Sequence, residues 1–202
     1  MSINVCNDRS MASITSLPSG VTGSSLVLIS EQTASSSSTI SFTSGIDSTY
    51  KEYVFKFIDI HPSADVAFKF NFSADGGSNY NVTKTSSMFR AYHSEGGGNG
   101  VLQYLTAEDL AQSTSPDFLH AGYGSDTDNS CAGTLHLFDP ASTTFVKHYI
   151  ANVTGVENSS TDLCNVYYKG GYCNTTSAIN AVQFSNASGN IDSGTFKLYG
   201  VV

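Results

Sequence analysis

The sequence predicts an all-β protein, an antiparallel β-sandwich of jelly-roll-like kind with at most one or two short helical turns. Three observations carry this. Apolar residues recur with period 2 in short runs rich in Val, Ile, Phe and Tyr; those runs are bounded by Gly, Ser, Asn and Asp; and helical spacing is almost absent. A strand that is apolar on one face belongs to a sheet covered on one side, and two such sheets bury their apolar faces against each other.

The elements follow in chain order. "SLVLIS" (25–30), "STISFT" (38–43) and "KEYVFKFIDI" (51–60) read as strands, as does "VAFKFNFS" (66–73), where Val66, Phe68, Phe70 and Phe72 share one face opposite Ala67, Lys69 and Asn71. "SADGGSNYN" then offers Gly76 and Gly77 for the positive φ of a tight hairpin leading to a strand at 79–84. Further strands are expected at 87–93, 100–105, 133–138, 144–151, 179–185 and 194–201. The one helical candidate is "TAEDLAQST" (106–114), with Thr106 as cap and Glu108 and Asp109 in the first turn. In the closing "GTFKLYG" Phe196 and Leu198 oppose Lys197 and Tyr199, which suits an interior strand whose backbone is paired on both sides.

These strands fit one sandwich domain over residues 25–202, a size at which a single core is well supported. Residues 1–24 differ: they are polar, with apolar anchors at Ile3, Val5, Met11, Ile14, Leu17 and Val21 and a turn at "LPSG". By composition they read as either a disordered terminus or an extended N-terminal arm whose anchors contact a neighbouring subunit, and the arm is the expectation carried forward.

Charged residues make up only 13% of the chain, against about a quarter in ordinary domains, so hydroxyls and amides carry its solubility. With 9 Lys and Arg and a net charge of -8, the chain lacks the basic footprint that nucleic-acid backbones require. The same acidity opposes docking on anionic lipid, and no apolar run is long enough to insert through a membrane. The opening has neither a basic n-region nor an apolar h-region, so the protein is expected to be made and kept in a cytoplasm. The N-x-[ST] triplets at Asn71, Asn81, Asn152, Asn158, Asn174 and Asn186 are then chance products of composition.

No catalytic pattern is present: there is no nucleophile elbow, P-loop, zincin motif or dinucleotide fingerprint, and no cofactor is implied. His61, His93, His120, His136 and His148 lack ligand spacing. "SDTDNSC" places Asp126, Asp128 and Ser130 like the start of an EF-hand loop, but Cys131 stands where Gly is needed and Leu137 where Glu is needed. This reads as a loop, with a looser calcium site at Asp126 and Asp128, or at Asp75, as the alternative. Cys164 and Cys173 would meet if "YYKGGY" formed a hairpin; in a reducing compartment the preferred reading is free thiols. The carboxylates Glu52, Asp59, Glu95, Glu108, Asp109 and Asp139 form no pair that sequence can place in a cleft.

Particular segments say more than composition. "TSGIDSTYKEYVFKF" (43–57), "IHP" (60–62), "DGGSNYNVT" (75–83), the closing "IDSGTFKLYG" (191–200) and the opening "CNDRSMASITSLPSG" (6–20) resemble virion structural proteins of tailed phages, especially marine ones. The resemblance covers most of the chain and is weakest over 96–132. It implies a non-enzymatic virion component, made in a bacterial host and assembled with other virion proteins of capsid or tail, as a homo-oligomer. Two roles are expected in order: an outer capsid decoration (cement or knob) protein, and a tail fibre or appendage protein that binds a host surface glycan. A tail-associated glycan hydrolase ranks last.

Overall fold

The computed structural model describes residues 25–98, 100–157 and 162–202. The predicted arm, with Ile3, Val5, Met11, Ile14, Leu17 and Val21, lies outside the described residues.

Twelve strands form two antiparallel sheets. They are β1 (Leu26–Ser37), β2 (Thr39–Phe42), β3 (Glu52–Pro62), β4 (Val66–Ser73), β5 (Lys84–Ser94), β6 (Val101–Tyr104), β7 (Asp117–Tyr123), β8 (Cys131–Phe138), β9 (Lys147–Glu157), β10 (Leu163–Cys173), β11 (Ala181–Asn186) and β12 (Ile191–Val201). The large sheet runs β1-β12-β3-β8-β9-β10-β5-β6 and the small one β2-β11-β4-β7. Without β5, β6, β9 and β10, the remaining strands form two four-stranded layers, β1-β12-β3-β8 over β2-β11-β4-β7, changing sheet at every step except the β4–β7 pair. That is the connectivity of an eight-stranded jelly roll. The two insertions, β5–β6 and β9–β10, both join the same edge of the large sheet beyond β8 and double its width.

The alternation seen in sequence places the core. Phe68, Phe70 and Phe72 from the small sheet meet Phe55, Phe57, Phe196 and Leu198 from the large one, all buried. Phe184 sits at the centre, 5.0 Å from Phe57 and 5.5 Å from Phe196 between ring centroids. Edge-to-face and offset contacts of this kind add to the gain from area burial. The closing strand β12 is interior, paired with β1 and β3.

Two expectations need correction, and one alternative falls. Residues 79–83 are not a strand: after β4 the chain crosses to the other sheet, and Gly76 and Gly77 (φ 72° and 89°) serve that crossing loop instead of a hairpin. The Asp75 carboxylate holds the loop, accepting from Ser73 Oγ at 2.6 Å and from Asn79 N and Nδ2 at 2.9 and 2.8 Å. The helical candidate contributes only a 3-10 turn, Thr106–Glu108; Leu105, not Thr106, stands at its N-cap, and Asp109 lies past its end. Finally, "YYKGGY" is the middle of β10 and no hairpin. Cys164 and Cys173 lie near opposite ends of that strand, roughly 30 Å apart at ~3.3 Å per residue, far beyond disulfide reach. Both are free thiols.

Candidate functional site

The added half of the large sheet has two unlike faces, and each carries a cluster that the compact jelly roll does not need.

The inner face is polar. β7 and the segment after β6 cover it, and a short coil presents carbonyls and carboxylates that an apolar sheet would leave unpaired. Asp117, at the start of β7, is buried and accepts from Lys169 Nζ at 2.8 Å, Tyr149 Oη at 2.7 Å, Ser86 Oγ at 3.2 Å and its neighbour Phe118 N at 2.9 Å. Lys169 also donates to Glu108 O at 2.8 Å. Beside this group, Lys84, Cys173 and Lys147 stand in register across β5, β10 and β9. Burial holds the Lys84 amine down to about 8, although the Asp117 charge acts the other way. Burial also pushes the Cys173 thiol up to about 12, against the two flanking lysines, so it is protonated and unreactive. Asp117, Lys84, Lys147 and Lys169 are all buried, so this network offers no opening to a substrate.

His120 on β7 belongs to the same layer. Its ring lies 4.3 Å from Tyr167, its Nδ1 accepts from Gly122 N at 3.3 Å, and its buried Nε2 has no partner. Burial, reinforced by Arg90, depresses its pKa to about 3.

The outer face is apolar. One row across the sheet reads Tyr104, Phe89, Tyr168, Asn152 in register on β6, β5, β10 and β9. Phe89 and Tyr168 stack at 5.0 Å with planes 14° apart, and remain 43% and 41% exposed. Tyr104 is exposed and donates its hydroxyl to the Asp109 carboxylate, which fixes its ring. The next row on one side reads Leu102, Ala91, Val166, Thr154, and on the other Ser87, Gly170, Ile150. Leu102 is 74% and Ile150 54% exposed. An apolar groove of about 420 Å³, lined by Ala91, His93, Val101, Leu102, Cys164 and Val166, continues this face toward one end of β5 and β6. Contiguous exposed apolar surface of this kind is larger than the scattered single apolar residues of an ordinary surface and makes this face the candidate site.

Among the described residues no group of three His, Cys, Asp or Glu side chains is placed to hold a metal ion. Asp75 spends its carboxylate on its own loop, which holds it down at about 2 through the Ser73 and Asn79 hydrogen bonds. The backbone carbonyl of Asp126 accepts from Asn129 N at 2.8 Å within a turn. Among the described residues no helix is long and apolar enough to cross a membrane.

Sequence reading missed both clusters. Its strand assignments omit β7 and β10, because Tyr167, Lys169 and Gly171 face inward where the pattern calls for Leu or Val. The usable signal was the aromatic run "NVYYKGGY" alternating with residues that had no reason to be exposed together.

No family model, no curated protein and no solved structure matches this chain.

Proposed function

We propose that this protein is a non-enzymatic structural component of a tailed-phage virion, and that it acts as an outer capsid decoration protein through the apolar outer face of its widened sheet. The observation that carries this reading is the Tyr104, Phe89 and Tyr168 row flanked by Leu102, Val166 and Ile150. Interface cores combine aromatic and aliphatic side chains and are depleted of charge, as this patch is. The jelly-roll connectivity supports it by analogy, since capsid domains use that architecture, but so do lectin domains. In this reading the arm at residues 1–24 adds a second grip on the shell, and copies associate at symmetry positions.

The second reading is a tail appendage that stacks a host glycan on the same aromatic row. The flanking residues favour the first. Sugar recognition places convergent hydrogen-bonding groups beside an aromatic ring; here Asn152, Thr154 and Ser87 border the row, but its most exposed neighbours, Leu102 and Ile150, are apolar, with Ala91 and Val166 beside them. Immunogold labelling of intact particles, counted by position, tests the choice. Dense label over the head is the expected result. Label confined to the tail would overturn the decoration role in favour of the appendage, and absence of label on intact particles would overturn both.

A further inference from the structure

We propose that Lys84 and Asn71 form an intramolecular isopeptide bond, Nζ to Cγ, which covalently ties the start of β5 to β4 across the crossover between the sheets. The two side chains are buried, and Lys84 Nζ lies 2.5 Å from Asn71 Oδ1. Given a C=O bond of about 1.23 Å, Nζ is within roughly 3.7 Å of Cγ, close to the near-attack range.

The surroundings suit the reaction. Asn71 is held at both ends of its carboxamide: Nδ2 donates to Tyr80 O at 2.6 Å and Thr114 O at 3.0 Å, while Oδ1 accepts from Phe72 N at 2.9 Å. The Phe72 N–H therefore points at the oxygen on which charge develops when the carbonyl is attacked. The amine is placed by a donation to Val82 O at 2.9 Å. Burial makes its neutral, nucleophilic form accessible near neutral pH, and the amine's hydrogen bonds go to an amide oxygen and a backbone carbonyl, not to a carboxylate.

The balance closes without a co-reactant. The lone pair of neutral Lys84 forms the Nζ–Cγ bond, the Cγ–Nδ2 bond breaks, and one proton passes from Nζ to Nδ2. The products are a secondary amide and free ammonia; nothing is oxidised or reduced. A buried Lys against a buried Asn, sealed from water, forgoes the competing hydrolysis.

The full chain, purified under denaturing conditions and weighed intact, is expected to be lighter than its sequence by one ammonia. Trypsin is then expected not to cleave after Lys84, so that a single peptide from Phe70 to Arg90 carries the loss, with fragment ions missing between residues 71 and 84. Lys84→Arg is expected to restore the full mass. A chain of full mass overturns the proposal. So does an ammonia loss that leaves cleavage after Lys84 intact, because that signature belongs to succinimide formation at Asn71 alone.

Discussion

His120 and Asp117 sit a few residues apart on β7, and each makes the fold testable in a different way. His120 is neutral when folded, with a pKa depressed to about 3, whereas in the unfolded chain it titrates near 6.5. Because the folded value is the lower one, the unfolded state takes up the proton first as pH falls. The stability tied to this residue is therefore complete above about pH 6.5 and is lost progressively as pH falls toward 3. The loss amounts to roughly 4 kcal/mol at the acid end. Urea melts at pH 7, 5 and 4 on the parent and on His120→Leu should show a clearly shallower acid decline in the variant; parallel declines would refute the assignment. Asp117 answers to a different test. Its carboxylate pairs with Lys169 Nζ at 2.8 Å with neither side chain more than 1% exposed, so Asp117→Ala leaves Lys169 buried without this partner. Breaking such a pair from one side costs about 3 to 5 kcal/mol, and the loss should appear at pH 7 in the same urea melts.

At the scale of elements, β10 shows how a strand can be indispensable and still read poorly in sequence. Its inward residues Tyr167, Lys169 and Gly171 alternate with outward Val166, Tyr168 and Gly170. The two glycines look equivalent on paper and are not. A Cβ on Gly171 would strike Tyr149 Oη, which is pinned to Asp117 at 2.7 Å, and would lie 2.8 Å from Thr85 O. A Cβ on Gly170 meets nothing within 4 Å. Gly171→Ala should therefore cost about 1 to 3 kcal/mol, while Gly170→Ala should be neutral or stabilise by about half a kcal/mol through the unfolded chain. Thermal melts of the two variants decide it, and equal effects would mean that Tyr149 is free to move. The same contrast explains what was legible. β3, β4 and β12 announced themselves because Phe55, Phe57, Phe68, Phe70, Phe72, Phe196 and Leu198 alternate with polar residues over a purely apolar core. β10 did not, because its buried face is satisfied by hydrogen bonds and ions whose partners lie far away in sequence, such as Lys169 with Asp117, and β7 did not, because register shifts against β4 break its alternation. The turn glycines at 76 and 77 were readable as positive-φ positions, but whether the next segment returns to the same sheet depends on long-range packing that no local signal encodes.

For the whole molecule, the decisive feature is that both insertions widen the same sheet and leave its outer side uncovered among the described residues. The eight strands of the jelly roll supply most of the aromatic core, and of the four added strands β9 extends it through Tyr149, so the full width of the addition calls for a further reason. Their inner face costs three buried lysines; Tyr149, Ala151 and Val153 of β9 extend the main core, and Met88, Leu105 and Tyr167 form a small second cluster beside it. Their outer face, by contrast, displays Phe89, Tyr168, Leu102 and Ile150 to solvent. If that face docks on the particle, the double variant Phe89→Asp, Tyr168→Asp should leave the domain folded, since both side chains are already well exposed and their mutual stacking contributes only about 1 kcal/mol. Loss of a central aromatic anchor typically costs 2 kcal/mol or more in binding, so incorporation into purified particles should fall by about 30-fold or more. Phe145→Asp is the control: Phe145 is equally conspicuous at 70% exposure but lies on the loop after β8, off the proposed contact, and should incorporate normally. Quantifying each protein in purified particles separates the readings. A double variant that incorporates like the parent but abolishes adsorption to host cells would move the aromatic row from the shell to the receptor, and one that changes neither would leave the widened sheet without the role argued for it.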